Sequence, residues 1–254
     1  MSSASNVSGR GFRSNVYFFS LMVILFGAAA PTQAQMFSVK PQRESIELPG
    51  LVLLVGVERM DVTQREPALT IIPSPTFDFS ADVLRVQLET GGLVASYTAG
   101  RGLGPNNVDY TSFEVALASG FQLFRREAVQ VVLPFFIYSV NTTMSSRAAQ
   151  LTNSEFRQNA LGLRTGLQTQ VRLSPRTRIV ANGTGGYAFS ANGFNSNGGN
   201  VTQWDASARL HVDGIFRSAG LTTGVMLHQR RYDVDIRAFN YDVNSLSVLL
   251  GVTF

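Results

Sequence analysis

Residues 158–173 read Gln158-Asn-Ala-Leu-Gly-Leu-Arg-Thr-Gly-Leu-Gln-Thr-Gln-Val-Arg-Leu173. The odd positions are Leu161, Leu163, Thr165, Leu167, Thr169, Val171 and Leu173, and the even ones are Gln158, Ala160, Gly162, Arg164, Gly166, Gln168, Gln170 and Arg172. Successive side chains of a strand point to opposite faces, so this is one strand with an apolar face and a polar one. Strands of soluble proteins run to about 5–6 residues, whereas crossing a bilayer at a tilt takes about 9–11. The polar face, with Arg and Gln among glycines, is wrong for a soluble core, while the apolar face carries no charge. Turned over, the strand would put Arg164 into lipid at a cost of about 2–4 kcal/mol near the midplane, and less for Arg172 near an end. The register is therefore strongly set.

The same split recurs along the chain. Phe113, Val115, Leu117, Phe121 and Leu123 oppose Glu114, Ala116, Ala118, Gly120 and Gln122; Trp204, Ala206, Ala208, Leu210 and Val212 oppose Asp205, Ser207, Arg209, His211 and Asp213. Leu221, Thr223, Val225 and Leu227 oppose Thr222, Gly224, Met226, His228 and Arg230. Short connections fall at Glu89-Thr-Gly-Gly92, Arg125-Arg-Glu127, Leu173-Ser-Pro-Arg176 and Arg217-Ser-Ala-Gly220, all rich in turn formers. Longer ones fall at 59–76, 101–109, 142–157, 191–202 and 233–243. Between them the pattern predicts ten strands, at 46–58, 77–89, 92–100, 110–124, 128–141, 158–173, 176–190, 203–216, 220–232 and 244–254. The fold class is all-β: a transmembrane, antiparallel, up-and-down β-barrel with long loops at one end and short turns, with both chain ends, at the other. Two strands are irregular. Leu51-Val-Leu-Leu-Val55 is apolar on both faces, and the apolar parity slips between Phe77, Phe79 and Leu84, Val86, Leu88, which predicts a β-bulge near Val83. If residues 36–80 form a periplasmic or plugging segment instead, eight strands remain.

The chain has 254 residues, 21 of them basic, and no cysteine, which excludes disulfides and thiolate metal sites. One basic residue is Lys40 and the rest are arginines scattered along the chain. Nucleic-acid binding is not expected, because that needs basic residues gathered on one face. Arg10 and Arg13 precede the apolar run Val16–Ala30, and small residues follow, with Thr32-Gln-Ala34 as the expected cleavage site and Ala28-Ala-Ala30 as the second choice. Residues 1–34 read as a secretory signal peptide, too short in its apolar part for the roughly 20 residues of a membrane-spanning helix. Its removal takes the net charge from +4 to +2, since the segment holds two arginines and no acid. Residues 35–254 form the barrel domain.

The last strand carries the most specific signal. Leu246, Val248, Leu250, Val252 and Phe254 alternate with Ser245, Ser247, Leu249, Gly251 and Thr253. It resembles the C-terminal β-signal of bacterial outer-membrane β-barrel proteins, an alternating apolar strand ending in an aromatic residue. The resemblance implies recognition of Leu250, Val252 and Phe254 by the barrel assembly machinery and residence in the outer membrane of a diderm bacterium, among outer-membrane lipid and lipopolysaccharide. Aromatics near strand ends fit the interfacial girdles of such barrels, with Tyr97, Tyr110, Phe113, Tyr187, Phe189, Trp204 and Tyr232 toward the loops, and Phe124, Phe216 and Phe254 toward the turns.

Residues expected to line the lumen are Arg85, Glu89, Glu114, Arg164, Gln168, Arg178, Asp205, Arg209, His211, Asp213, His228 and Arg230. Folding the last long hairpin about Ser218 sets Arg209 opposite His228 and His211 opposite Met226. An acid–base pair such as Asp213 with His211 is the arrangement that the omptin family of ten-stranded surface proteases would suggest, but those use Asp and His above the rim, whereas His211 is mid-strand. Neutralisation of these charges by each other within a packed lumen is the simpler expectation. Two histidines without cysteine give no metal-ligand spacing. Gly100-Arg-Gly-Leu-Gly104 lies in a loop with no helix to follow it, so it is no phosphate cradle. No cofactor and no catalytic residue are expected. At about eight strands a barrel is just filled by side chains, while open porins need about 16 to 18. Ten strands thus point to a non-enzymatic barrel with a structural, adhesive or restrictively permeable role and specificity in its loops. An outer-membrane hydrolase of protease or lipid-deacylase type, a narrow porin-like channel and an exported lipocalin-like binder are the alternatives, and no particular ligand is indicated.

Overall fold

A computed structural model of the chain describes residues 51–65, 77–102, 108–146, 155–191, 196–216, 219–235 and 240–254. The expected signal peptide, and most of each of the five long connections, lie outside these residues. The described chain is ten antiparallel strands: β1 (Leu51–Gln64), β2 (Phe79–Thr90), β3 (Leu93–Arg101), β4 (Val108–Arg125), β5 (Val129–Ser146), β6 (Glu155–Ser174), β7 (Thr177–Ser190), β8 (Gly199–Phe216), β9 (Ala219–Val234) and β10 (Tyr241–Thr253). Each pairs with its neighbours in sequence, and β1 pairs with β10 to close the barrel. β1 begins and ends later than the 46–58 expected of it. Several other strands run further toward the loops than the alternation alone indicated, among them β5, which reaches Ser146.

Closure fixes the tilt. Stepping sideways from partner to partner, Val52 leads to Glu89, Val94, Ala116, Tyr138, Gly162, Ala188, Val201, Tyr232, Tyr241 and back to β1 at Gln64. The walk ends twelve residues above its start, so the shear of this ten-stranded barrel is 12. That stagger corresponds to strands tilted by about 40° from the barrel axis, and each residue then climbs about 2.5 Å along it.

The outer wall is apolar. Leu163, Ile137, Val248, Leu250, Val57 and Leu161 are each at least half exposed, as expected for side chains whose solvent is hydrocarbon. Tyr97, Tyr187, Phe189 and Trp204 point outward toward the loop ends, and Phe124 and Phe254 outward at the turn ends, in the places where amphipathic rings suit a membrane interface. Two girdle expectations are corrected: Tyr110 and Tyr232 are buried inside the barrel. The predicted bulge near Val83 is also absent, since β1 and β2 pair without a break from Leu51–Thr90 to Val62–Phe79. Phe77, Ala81 and Val83 are buried inside, while Leu84 faces out. The apolar parity changes because the upper lumen is itself apolar, and the backbone has no irregularity to explain. For the same reason Leu51-Val-Leu-Leu-Val55 is apolar on both faces: Val52 and Leu54 pack inward against Met226 and Leu249, and Leu53 and Val55 face out.

Candidate functional site: a layered lumen

The lumen is the only place in the described residues where chemistry-bearing side chains gather, and it is stratified. Read from the turn end to the loop end, the inward positions of β1 are Val52, Leu54, Gly56, Glu58, Met60 and Val62, and those of β9 include Met226, His228, Arg230 and Tyr232. Both strands pass from apolar to ionic to apolar. The ionic belt therefore lies at mid-height between two apolar layers.

In the belt, Arg164 from β6 donates through Nη1 to Glu114 Oε1 and to Asp205 Oδ2, both at 2.9 Å. Its guanidinium also lies 4.6 Å from the ring centre of Phe136 and 5.4 Å from that of Tyr138, a stacking that suits its weak hydration. Arg230 donates from Nη2 to Glu114 Oε2 at 2.8 Å, and from Nη1 to the hydroxyls of Ser112 and Tyr232. Gln203 joins the two acids, donating to Asp205 at 2.9 Å and accepting from Arg230. His228 Nδ1 is hydrogen-bonded to Asp205 Oδ1. On the facing wall Arg85 donates to Glu58 at 3.2 Å, and Glu58 also accepts from Ser245 and Thr98. Three carboxylates (Glu58, Glu114, Asp205) thus meet three guanidiniums (Arg85, Arg164, Arg230). With His228 neutral the belt carries no net charge, which is what burial demands of it.

Above the belt stand Tyr110, Tyr138, Tyr232, Tyr241, Phe77 and Phe156, all buried. Phe156 packs edge-on against Tyr232 and Tyr241, with ring centres 5.7 and 5.8 Å apart, and Phe77 does so against Tyr241 at 6.0 Å. Tyr232 couples the two layers, its hydroxyl bonded to Thr142 at 2.7 Å while it accepts from Arg230. Below the belt, Val52, Leu54, Met226 and Leu249 fill one side. On the other side Arg209 meets Glu89 at 2.5 Å, and nearer the turns Arg178 meets Asp213 at 3.0 Å.

The structure places all the residues expected to line the lumen on the inward face, but it groups them differently from the expectation. Asp205 lies opposite His228, Arg209 opposite Gly224 and His211 opposite Thr222. The shift from the register drawn about Ser218 comes from an irregularity between Val212 and Phe216, where Gly214 takes a φ of +70°, open to glycine at no steric cost. His211 is consequently bonded to Thr222 at 2.8 Å, and Asp213 to Arg178, so these two do not form the candidate acid–base pair. Gln168 lines the partly exposed end of the lumen near the turns. Glu58, Gln203, Ser112 and Ser245 belong to the belt and were not singled out; each falls on the inward parity of its strand, which was the available signal. Among the described residues no group of three or more metal-ligating side chains occurs.

No protein-family model matches this chain, and no curated protein matches it. Solved structures with a similar fold include the outer-membrane protease OmpT from Escherichia coli, at 9% identity and a TM-score of 0.42, with 80% of this chain and 95% of that one covered. The attachment invasion locus protein Ail of Yersinia pestis, solved with the heparin analogue sucrose octasulfate, is 10% identical at a TM-score of 0.26, covering 80% and 97%. The translocator domain of the autotransporter NalP from Neisseria meningitidis is 10% identical at a TM-score of 0.33, covering 99% and 100%. Likeness at this level extends to barrel architecture and to nothing finer. A closed ladder leaves no unpaired sheet edge between its first and last strands, and this one wears its apolar side chains outward around a packed ionic interior, the inversion that a lipid solvent imposes. The chain is a ten-stranded transmembrane β-barrel of the bacterial outer-membrane type.

Proposed function

We propose that the protein is a non-enzymatic, integral outer-membrane barrel with a sealed lumen, which acts through its extracellular loops in a structural or adhesive role. The observation that carries this reading is the layering: an ion-paired belt in which Arg164 ties Glu114 to Asp205, roofed by interlocked aromatic rings. A diffusing solute would have to break buried ion pairs and part the roof. Catalysis by His211 or His228 has little support, because both rings are buried inside the barrel and engaged by Thr222 and Asp205. Planar-bilayer recording of the purified protein is expected to show no discrete conductance steps at neutral pH. A regular single-channel conductance would favour the narrow-channel reading and overturn the sealed one.

Export with loss of residues 1–34, and delivery by the barrel assembly machinery into a membrane of outer-membrane lipid and lipopolysaccharide, complete the proposal. Leu250 and Phe254 present their side chains outward on β10, each 57% exposed, where a recognition surface must lie. Deleting Phe254 is expected to lower the amount of folded protein in the outer membrane several-fold, read as the heat-modifiable band on gels of membrane fractions. Equal amounts with and without it would remove the C-terminal signal from the account.

A further inference from the structure

The outer wall is not uniform around the barrel. On β6 the uncharged outward face runs from Leu161 to Leu173, which at about 2.5 Å per residue covers about 30 Å of height. On β1 it runs only from Leu51 to Val57, where Arg59 ends it, about 15 Å by the same measure. On β2 it runs only from Leu84 to Leu88, with Asp82 above. Outer-membrane barrels present an apolar band of about 25 Å, so this wall falls short by roughly 10 Å. A short hydrophobic wall is accommodated by thinning the bilayer or by association with another protein.

Two further features distinguish the same wall. The outward positions of β1 and β2 carry no aromatic residue, whereas β3, β7 and β8 present Tyr97, Tyr187, Phe189 and Trp204 at the loop-side interface. In place of such anchors stands a charged group. Arg59 bonds Ser80 Oγ at 2.8 Å and approaches Asp82 at 3.3 Å, with the Arg59 and Asp82 side chains 58% and 63% exposed. Asp61 lies beside them, in register with Ser80. A wall that is too short for lipid, lacks interfacial rings and carries both signs of charge side by side is complementary to itself. About a two-fold axis along the membrane normal, Arg59 of each copy faces the carboxylates of the other, and the contact is isologous and closed.

From this juxtaposition we infer that the β1–β2 wall is the contact between two copies of this chain in the membrane, with Val55, Val57, Leu84 and Val86 at its apolar centre and Arg59 and Asp82 exchanging partners across it. The inference rests on the membrane-embedded barrel proposed above. The natural chain has no cysteine, so single thiols report contacts directly. In isolated outer membranes treated with a short bifunctional maleimide, Val57→Cys is expected to give an adduct of twice the monomer mass, and Leu163→Cys, on β6 halfway round the barrel, is not. Adding Arg59→Glu to Val57→Cys should reduce the adduct at least tenfold, and adding Asp82→Arg as well should restore it, because the pair is then complementary with its signs exchanged. No adduct from heat-modifiable, membrane-bound Val57→Cys, an adduct with a different protein, or equal adducts at both positions would overturn the dimer while leaving the barrel reading intact. Protein that extracts into the aqueous phase without detergent would overturn both.

Discussion

Arg164→Ala should destabilise the barrel by about 3–5 kcal/mol, the usual cost of leaving buried charge without its partner. Glu114 and Asp205 both accept from this one guanidinium, and the three side chains are 10% exposed or less. Their remaining partners, Arg230 and His228, cannot occupy the space between them. The aromatic faces of Phe136 and Tyr138 would be left beside a void. The measurement is denaturant unfolding of the refolded protein in detergent or lipid vesicles, with the folded fraction read by heat-modifiable mobility. Combining Arg164→Met with Asp205→Asn should cost less than the sum of the single changes by at least about 1 kcal/mol, as is normal for residues of one network. A loss below about 1 kcal/mol for Arg164→Ala would mean that water reaches the belt, and the sealed lumen would go with it.

The second large effect is expected at the seam where the chain closes on itself. Gly251 of β10 lies in register with Leu54 of β1. A Cβ there would fall inside the van der Waals shell of the Leu53 carbonyl oxygen, with the Leu54 side chain 2.8 Å away. Gly56, across the same seam, meets the Val248 carbonyl in the same way. Backbone does not yield as a flexible side chain would, so Gly251→Val must part the first and last strands, and in lipid an unzipped edge exposes peptide groups with no water to bind them. Loss of the compact, heat-modifiable form is expected for Gly251→Val and a reduced yield for Gly251→Ala. Gly183→Val is the control, because a Cβ at Gly183 meets nothing within 4 Å on the outer wall. If Gly251→Val and Gly183→Val refold alike, close approach of the strands does not govern closure.

The membrane-spanning architecture was legible because its cause is local. Every residue of a strand in a barrel wall faces either hydrocarbon or lumen, so the alternation of Leu161, Leu163 and Leu167 against Gly162, Arg164 and Gly166 states the fold directly. What the alternation could not supply was how polar the lumen is at each height. Tyr110 and Tyr232 look like interfacial rings, since they stand near the loop ends of their strands. They turn inward because the parity of Glu114 and Arg230, on the same strands, obliges them to. Phe77 and Phe79 looked like a register slip, because an inward face was expected to be polar throughout.

The belt shows the same division between what is local and what is not. The sequence alone established the ten strands, the set of inward charged residues, and the near balance of their signs, because parity and composition are properties of each strand by itself. Only the tertiary structure decided which charge meets which. A two-residue irregularity at Gly214 moves β9 along β8 and gives Asp205 to His228 instead of Arg209. Arg164 meets Glu114 from a strand 50 residues away in sequence and Asp205 from one 41 away. Those meetings are set by the twelve-residue stagger with which the ladder closes. The stagger is a property of the whole ring of strands, so no single stretch of the chain contains it.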